Sequence, residues 1–235
     1  MMNTIINQVE SFDFSSKPTA DQLMGSLKKN GIFILSNLFT PEAIMLLQEE
    51  FNKIFLDKKE LYYIDDKEGC SRDIRIEYAN KYSKLYQTAF CENSFFNNLC
   101  LSYTGQLGER KTMLNFLSYA EGEIRNSGAG WHRDNHDAQF KVITYLTDVS
   151  TENGNFQWLT NSSKRHIGFP TPRTQDYNTR YTDSTINLLL ENDNCEIVDI
   201  TGPAGTTIIA DTTYIHRGNI INKGIRKAVT QYFFR

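Results

Sequence analysis

Apolar residues recur at helical spacing in the first quarter of the chain, with one short apolar run between two such stretches. The spacing predicts a helix over residues 19–30 that ends at Gly31, because glycine readily adopts the left-handed conformation of a helix C-terminus. The apolar run over residues 32–35 predicts a strand. The opening of the chain is therefore helical, with one strand inserted.

The sequence Thr40-Pro41 predicts the start of a second helix, since threonine caps a first turn and proline suits the first helical position. Its apolar positions follow at helical spacing: Ile44, Leu47, Phe51 and Ile54. Residues 78–103 are also predicted to be helical, with a break near residues 91–93.

From Lys111 onward, short runs of β-branched and aromatic residues alternate with clusters of Gly, Asn and Asp. This pattern is typical of a double-sheet jelly roll or barrel. The predicted strands cover residues 112–119, 130–136, 140–149, 155–160, 195–200, 206–210 and 226–234.

The predicted organisation is one domain over residues 1–235. Residues 1–110 form a mostly helical N-terminal part, and residues 111–235 form the jelly-roll core. The polar, aromatic-rich segment 161–194 interrupts the strand pattern, and a loop of that length in a compact domain is usually functional. We therefore interpret it as a lid.

Composition excludes several classes of function. The chain of 235 residues is 40% hydrophobic and 23% charged, with a net charge of −3, as in ordinary globular proteins. No basic excess indicates nucleic acid or an anionic membrane, and no apolar stretch approaches a membrane span. We see no secretory signal, and the default expectation is a cytoplasmic protein. No C-x-x-C pair occurs, so we interpret the cysteines as reduced, mostly buried thiols: Cys70, Cys91, Cys100 and Cys195.

The motif His132-Arg133-Asp134 is the first candidate for chemistry. Alternate residues of a strand point to the same face, so His132 and Asp134 can reach one metal ion, although a surface turn is the ordinary alternative. A Gly-rich stretch, residues 127–130, precedes the motif. One more imidazole, for which His216 is the candidate, completes the facial triad typical of non-haem Fe(II) oxygenases.

Arg226 opens the last predicted strand. A buried guanidinium there can pair with the distal carboxylate of 2-oxoglutarate through charge-assisted hydrogen bonds. The alternative is a surface salt bridge. We interpret His132, Asp134 and His216 as metal ligands and Arg226 as a cosubstrate anchor.

These residues, with their neighbours, resemble the phytanoyl-CoA dioxygenase family of Fe(II)/2-oxoglutarate oxygenases over roughly residues 20–235. The matching positions are Trp131, His132, Asp134, Asn153, Gly154, Gly205, His216, Asn222 and Arg226, with residues 31–35 and 40–42. The resemblance implies a double-stranded β-helix core, Fe(II) on the triad, 2-oxoglutarate on Arg226, and O2 as oxidant. The implied reaction hydroxylates an unactivated C–H bond and releases succinate and CO2.

The chain departs from the family pattern in three places. A Pro-Gly-Ser-His stretch is common after Asn153-Gly154, whereas residues 160–164 read Thr-Asn-Ser-Ser-Lys. Gly218 lacks the hydroxyl of a serine often found there. Position 133 is arginine. Asp134 itself favours hydroxylation over halogenation, because halogenating relatives replace this carboxylate to make room for chloride.

Several alternatives remain open. Desaturation or cyclisation on the same centre, a zinc hydrolase with the same ligands, and a binding-only jelly roll are all compatible with the triad, although Arg226 argues against the last two. His136 could be a ligand in place of His216. His166 is interpreted as a loop residue.

Further cavity candidates lie on the predicted strands. Tyr145 is the favoured second contact to the cosubstrate, with Lys141 on the same face of its strand, and barrel lining is the alternative for both. Asn115 and Tyr119 are weaker candidates, and Trp131 is expected to pack in the core.

The segment 163–181 is rich in basic and aromatic residues. One interpretation is a lid over a small, anionic metabolite, to which Arg72, Arg75 and Arg125 could contribute, and a solvated loop is the other. No oligomeric state is predicted.

Overall fold

The structure is a computed structural model that describes residues 9–64, 73–119, 121, 130–134, 139–163, 180–192 and 194–234. Within these residues, helices precede and interrupt two sheets. The helices are α1 Ala20–Asn30, α2 Pro41–Asp57, α3 Ala79–Tyr82, α4 Lys84–Tyr86, α5 Ser94–Thr104 and α6 Asp183–Asn192, with 3-10 turns at Phe14–Ser16 and Lys59–Leu61 and a π-helical turn at Gln87–Cys91.

The first two helices form where the sequence predicts them. At α1, the Gln22 N–H donates to the Thr19 hydroxyl (3.2 Å), and the Thr19 N–H donates to the Gln22 side chain (2.8 Å). This reciprocal pair is a capping box, and Gly31 ends the helix with a φ of 73°. At α2, the Ala43 N–H donates to the Thr40 hydroxyl at 3.2 Å. Local sequence therefore determines both helix starts.

The strands belong to two sheets. They are β1 Glu10–Asp13, β2 Ile32–Ser36, β3 Tyr62–Ile64, β4 Asp73–Ile76, β5 Arg110–Ser118, β6 Phe140–Tyr145, β7 Phe156–Leu159, β8 Ile197–Ile200, β9 Thr207–Asp211, β10 His216–Gly218 and β11 Ile225–Phe233. The large sheet has the order β1-β2-β9-β6-β11-β5-β4-β3, and the small sheet has the order β10-β7-β8. Only the β1–β2 pair is parallel in these two sheets. The two sheets form the predicted jelly roll.

Alternation along β6 divides the core. Phe140 and Val142 pack with α1 and α2 on the outer face of the large sheet. Ile143 and Tyr145 point the other way, toward the small sheet, where they pack with Trp158. The helices therefore cover one face of the large sheet, and the candidate site lies on the other.

Some element predictions were wrong. Residues 130–134 form no strand and make single bridges at His132; the rest of that prediction lies outside the described residues. The helix α6 lies within segment 161–194, which was predicted as a loop. The N-terminal part contributes β1–β4 to the large sheet, so it is less purely helical than predicted. Within the described part of the chain, no helix is long and apolar enough to cross a membrane.

Candidate metal centre

His132 and His216 lie opposite each other at the edge of the small sheet. The His132 N–H donates to the His216 carbonyl (3.0 Å), and the His216 N–H donates to the His132 carbonyl (2.9 Å). The two ring centroids are 4.5 Å apart. One residue pair of an antiparallel bridge therefore supplies two imidazoles to the same place.

Backbone carbonyls orient both imidazoles. The Nδ1 atom of His132 is 2.7 Å from the Gly130 carbonyl, and that of His216 is 2.8 Å from the Tyr214 carbonyl. A carbonyl can only accept, so Nδ1 carries the hydrogen in each ring and Nε2 keeps its lone pair. This is the arrangement of metal-binding histidines, in which the second nitrogen donates to the protein.

Asp134 completes the set. Its Oδ1 atom is 3.7 Å from His132 Nε2, and its Oδ2 atom is 3.6 Å from His216 Nε2. One ligand atom from each residue lies within 4.8 Å of the others. The Asp134 N–H donates to the Thr212 carbonyl at 2.9 Å, which fixes the backbone behind the carboxylate. The donor set and its spacing suit one divalent ion.

Burial sets the protonation states at this centre. It lowers the pKa of His132, and it lowers the pKa of His216, which lies beside the Phe156 ring at 5.3 Å, to about 3. Burial alone would raise the pKa of Asp134, but the Lys141 ammonium and the imidazoles together lower it below its ordinary value. Neutral imidazoles and an ionised carboxylate are the forms that bind metal.

Lys141, which the sequence analysis ranked behind Tyr145, lies closest to the predicted triad. Its ammonium contacts Oδ2 of Asp134 directly and lies 4.5 Å from the centre of the Tyr232 ring. The side chain is buried, and although burial lowers the pKa of a lysine, Asp134 raises it above the ordinary value. Lys141 is therefore a charged group beside the candidate metal ligands.

Arg226 lies at the start of β11 with neutral hydrogen-bond partners. Its Nη1 donates to the Gly154 carbonyl and its Nη2 donates to Asn115 Oδ1 at 2.8 Å. Its Nε is buried and has no hydrogen-bond partner among the described residues. A guanidinium has five N–H donors, so several remain for a ligand.

A cavity of about 320 Å³ joins the triad to Arg226. The large sheet supplies its floor through alternate residues of two paired strands. These are Lys141, Ile143 and Tyr145 on β6, and Arg226, Ala228, Thr230 and Tyr232 on β11. The predicted ligands and the predicted anchor therefore face the same space.

Tyr145 lines this cavity, but both sides of its hydroxyl are used. The O–H donates to the Ile200 carbonyl (2.9 Å) and accepts from the Phe156 N–H (2.9 Å). Burial raises its pKa to about 12. Its hydroxyl hydrogen is therefore already used by the Ile200 carbonyl.

Asn115 also lines the cavity and donates to Asp73 Oδ1 at 2.5 Å. Asp73 in turn pairs with Arg75 at 3.0 Å. Sequence reasoning missed this chain of contacts behind Arg226, because Asp73 lies in a strand, β4, that it did not predict.

Of the other candidates, Tyr119 and Trp131 do not line the cavity, whereas Arg133 does. Tyr119 is 45% exposed, and Trp131 is buried in an apolar cluster. The Arg133 side chain is buried, where its Nε donates to the Tyr181 hydroxyl (2.7 Å). Cys91, Cys100 and Cys195 are free and buried. Several predictions lie outside the described residues: Cys70, Arg72, Arg125, His136, His166 and most of segment 163–181.

No protein-family model matches this chain, and no curated protein matches it. Solved structures do match. The non-heme alpha ketoglutarate dependent carbocyclase SnoK from nogalamycin biosynthesis has a TM-score of 0.68 at 13% identity, over 92% of this chain and 85% of that chain. EctD from S. alaskensis, with 2-oxoglutarate and 5-hydroxyectoine, has a TM-score of 0.65 at 16% identity, over 90% and 74%.

HygX from Streptomyces hygroscopicus, with nickel and 2-oxoglutarate bound, has a TM-score of 0.64 at 14% identity, over 92% of this chain and 87% of that chain. This chain shares their fold. The match confirms the predicted jelly-roll architecture. At these identities it carries the fold alone, and the narrower resemblance to phytanoyl-CoA dioxygenases stays a prediction.

Proposed function

We propose that this protein is a mononuclear non-haem Fe(II) oxygenase that uses 2-oxoglutarate and O2 to oxidise a small molecule. The observation that carries the proposal is the convergence of His132, Asp134 and His216, whose ligand atoms lie within 4.8 Å of one another. Arg226 lines the same cavity, where a second anionic end of a ligand can reach it.

The residues fit the metal. Two imidazoles and one carboxylate form the facial triad of non-haem Fe(II) oxygenases, which leaves coordination positions open. His132 and His216 are held in the ligating tautomer by the carbonyls of Gly130 and Tyr214. The donors are therefore oriented before metal arrives, so little rearrangement opposes binding.

Iron with 2-oxoglutarate and O2 supplies the oxidising power, with succinate and CO2 as the products of the cosubstrate. The residues of the chain hold and orient the cosubstrate. Arg226 holds the distal carboxylate through the N–H groups that Gly154 and Asn115 leave free. The Tyr145 ring and the Ile143 side chain flank the cosubstrate and exclude water.

The reaction we propose is hydroxylation of an unactivated C–H bond. Asp134 fills the position that a halogenase would need for chloride. Desaturation or cyclisation on the same centre is the alternative outcome. The fold that this chain shares with SnoK, a carbocyclase, is compatible with that alternative. A zinc hydrolase would have no use for a 2-oxo acid anchor in the cavity.

The test is anaerobic absorption spectroscopy of purified protein with Fe(II) and 2-oxoglutarate. The bidentate chelate should give a metal-to-ligand charge-transfer band in the wild type, because the triad leaves adjacent positions open. His132→Ala and Asp134→Ala should lose the band. Asp183→Ala is the matched carboxylate control, since Asp183 is 79% exposed at the start of α6. A wild-type protein without the band would contradict the proposal.

A further inference from the structure

Several cationic side chains line the cavity, and two of them, Lys141 and Arg226, lie toward opposite ends of the paired strands β6 and β11. Lys141 on β6 lies opposite Tyr232 on β11, whereas Tyr145, four positions further along β6, lies opposite Ala228. Arg226 lies two residues beyond Ala228, in the same direction. Ile143 and Thr230 lie between the two ends, so a less polar middle separates the two charges. The two cations are therefore suited to two different acidic groups.

Lys141 keeps hydrogen-bonding capacity after its contacts in the protein. An ammonium has three N–H donors. Among the described residues, its partners are one oxygen of Asp134 and the face of the Tyr232 ring. The side chain is only 7% exposed and lines the cavity. At least one N–H donor of the Lys141 ammonium is thus shielded from bulk water and available to a ligand in the cavity.

The charges at the metal end do not balance with iron and cosubstrate alone. Asp134 carries one negative charge, and Lys141 offsets it. A divalent ion then adds two positive charges, while the chelating end of 2-oxoglutarate returns one negative charge. One positive charge is left uncompensated in a buried site, which is unfavourable.

We propose that Lys141 binds an acidic group of the substrate, a carboxylate or a phosphate, and so selects anionic metabolites. This inference rests on the proposed oxygenase activity. It differs from a role for Lys141 as a mere counter-ion of Asp134, because a counter-ion would influence metal binding and leave anion binding unchanged.

The experiment uses the Co(II) form of the full chain with saturating 2-oxoglutarate, so that Arg226 and the chelating positions are filled. Trifluoroacetate is the carboxylate probe and methylphosphonate is the phosphate analogue, followed by paramagnetic relaxation of 19F and 31P. Wild-type protein should relax at least one probe in a saturable manner. The probe that binds with the higher affinity identifies the acidic group that the site prefers.

Lys141→Met should weaken binding of that probe about tenfold or more, as expected for loss of a charge-assisted hydrogen bond. Lys141→Arg, which keeps the charge, should restore most of it. Lys111→Met is the matched control, because Lys111 also lies over the Tyr232 ring, at 5.0 Å, but pairs with Glu77 outside the cavity. Lys141→Gln replaces Lys141→Met if that variant does not fold.

Two results would overturn the inference. One is a wild-type protein that binds 2-oxoglutarate but relaxes neither probe. The other is equal probe affinity in wild type and the uncharged Lys141 variant. Absence of 2-oxoglutarate binding, measured first by the charge-transfer band, would instead contradict the proposed function. A screen of succinate release over pairs of acids and their carboxamides should favour the acids in the wild type only.

Discussion

Arg226 is a half-buried residue with a buried Nε, and the direct acceptors of its guanidinium are both uncharged, namely the Gly154 carbonyl and the Asn115 amide oxygen. Burial lowers its pKa below the ordinary value of an arginine. A cation in this setting gains more from an incoming carboxylate than a surface arginine would, because little solvent screens the pair. Binding of a dicarboxylate should therefore stabilise the positive charge of Arg226.

Arg226→Lys should weaken 2-oxoglutarate binding roughly 10- to 100-fold while Fe(II) binding is retained. Lysine keeps the charge but loses the fork that contacts Gly154, Asn115 and the ligand together. Titration of the charge-transfer band under anaerobic conditions measures both constants. Arg110→Lys is the control, because Arg110 binds the Cys91 carbonyl (2.8 Å) outside the cavity. An unchanged constant for 2-oxoglutarate in Arg226→Lys would rule out this anchor.

At the scale of single residues, the sequence predicted which three candidate ligands converge, but it did not predict the contacts around them. The H-x-D spacing and a late histidine predicted the three residues that converge. Nothing local indicates that Lys141 reaches Asp134, or that Gly154 turns its carbonyl toward Arg226. Those contacts depend on the register between strands, and that register is set by the whole sheet.

Among the elements, the turn before β7 acts directly on the site. Gly154 has a φ of 77°. A Cβ there would lie 2.7 Å from Leu117 Cδ2 and 3.3 Å from the Asn219 carbonyl oxygen. Only glycine suits both this conformation and this space. The turn thereby aims the Gly154 carbonyl at Arg226.

Gly154→Ala should lower the free energy of unfolding by about 1–3 kcal/mol, from left-handed strain together with the clash. It should also weaken 2-oxoglutarate binding, because the turn that holds Arg226 must shift. Gly105→Ala separates the two causes, since Gly105 has a φ of 78° but open space around it at the end of α5. Denaturant unfolding and band titration provide the measurements. Equal losses of stability in both variants, with unchanged cosubstrate affinity, would contradict this account.

Elements with strong local signals were predicted, and those held by distant contacts were not. Gly31 at the helix end predicted α1, Thr40-Pro41 predicted the start of α2, and runs of β-branched and aromatic residues predicted β5 and β11. The short strand β10 forms through its pairing with β7 and its bridge with His132, which are contacts between distant parts of the chain. The helix α6 had a usable signal that was overlooked: Ile186, Leu189 and Leu190 recur at helical spacing.

Across the whole molecule, Tyr145 joins the two sheets. It belongs to β6 of the large sheet, and its hydroxyl donates to Ile200 on β8 and accepts from Phe156 on β7, both in the small sheet. The ring packs with Ile143 and Trp158 in the space between the sheets. One buried phenol therefore makes two hydrogen bonds across the two layers that enclose the cavity.

The protonated phenol of Tyr145 should contribute stability that disappears at alkaline pH. Burial raises its pKa to about 12, whereas an unfolded tyrosine titrates near about 10. The contribution is therefore complete below about pH 10 and is lost as the pH rises toward 12, by roughly 2–3 kcal/mol. Tyr145→Phe should reduce this alkaline fall in the free energy of unfolding.

At neutral pH, Tyr145→Phe should lower that free energy by about 1–3 kcal/mol, because the Phe156 N–H and the Ile200 carbonyl lose a partner inside the fold. Affinity for 2-oxoglutarate should stay within about twofold, since the phenylalanine ring still flanks the cosubstrate and no hydrogen bond to it is lost. Tyr119→Phe, at a residue that is 45% exposed, should leave the pH dependence as in the wild type. Denaturant titrations from pH 7 to pH 11.5 measure the slopes. If the free energy of unfolding falls with pH as steeply in Tyr145→Phe as in the wild type, the alkaline transition belongs to another group. The hydrogen bonds of the Tyr145 phenol would then not stabilise the contact between the sheets.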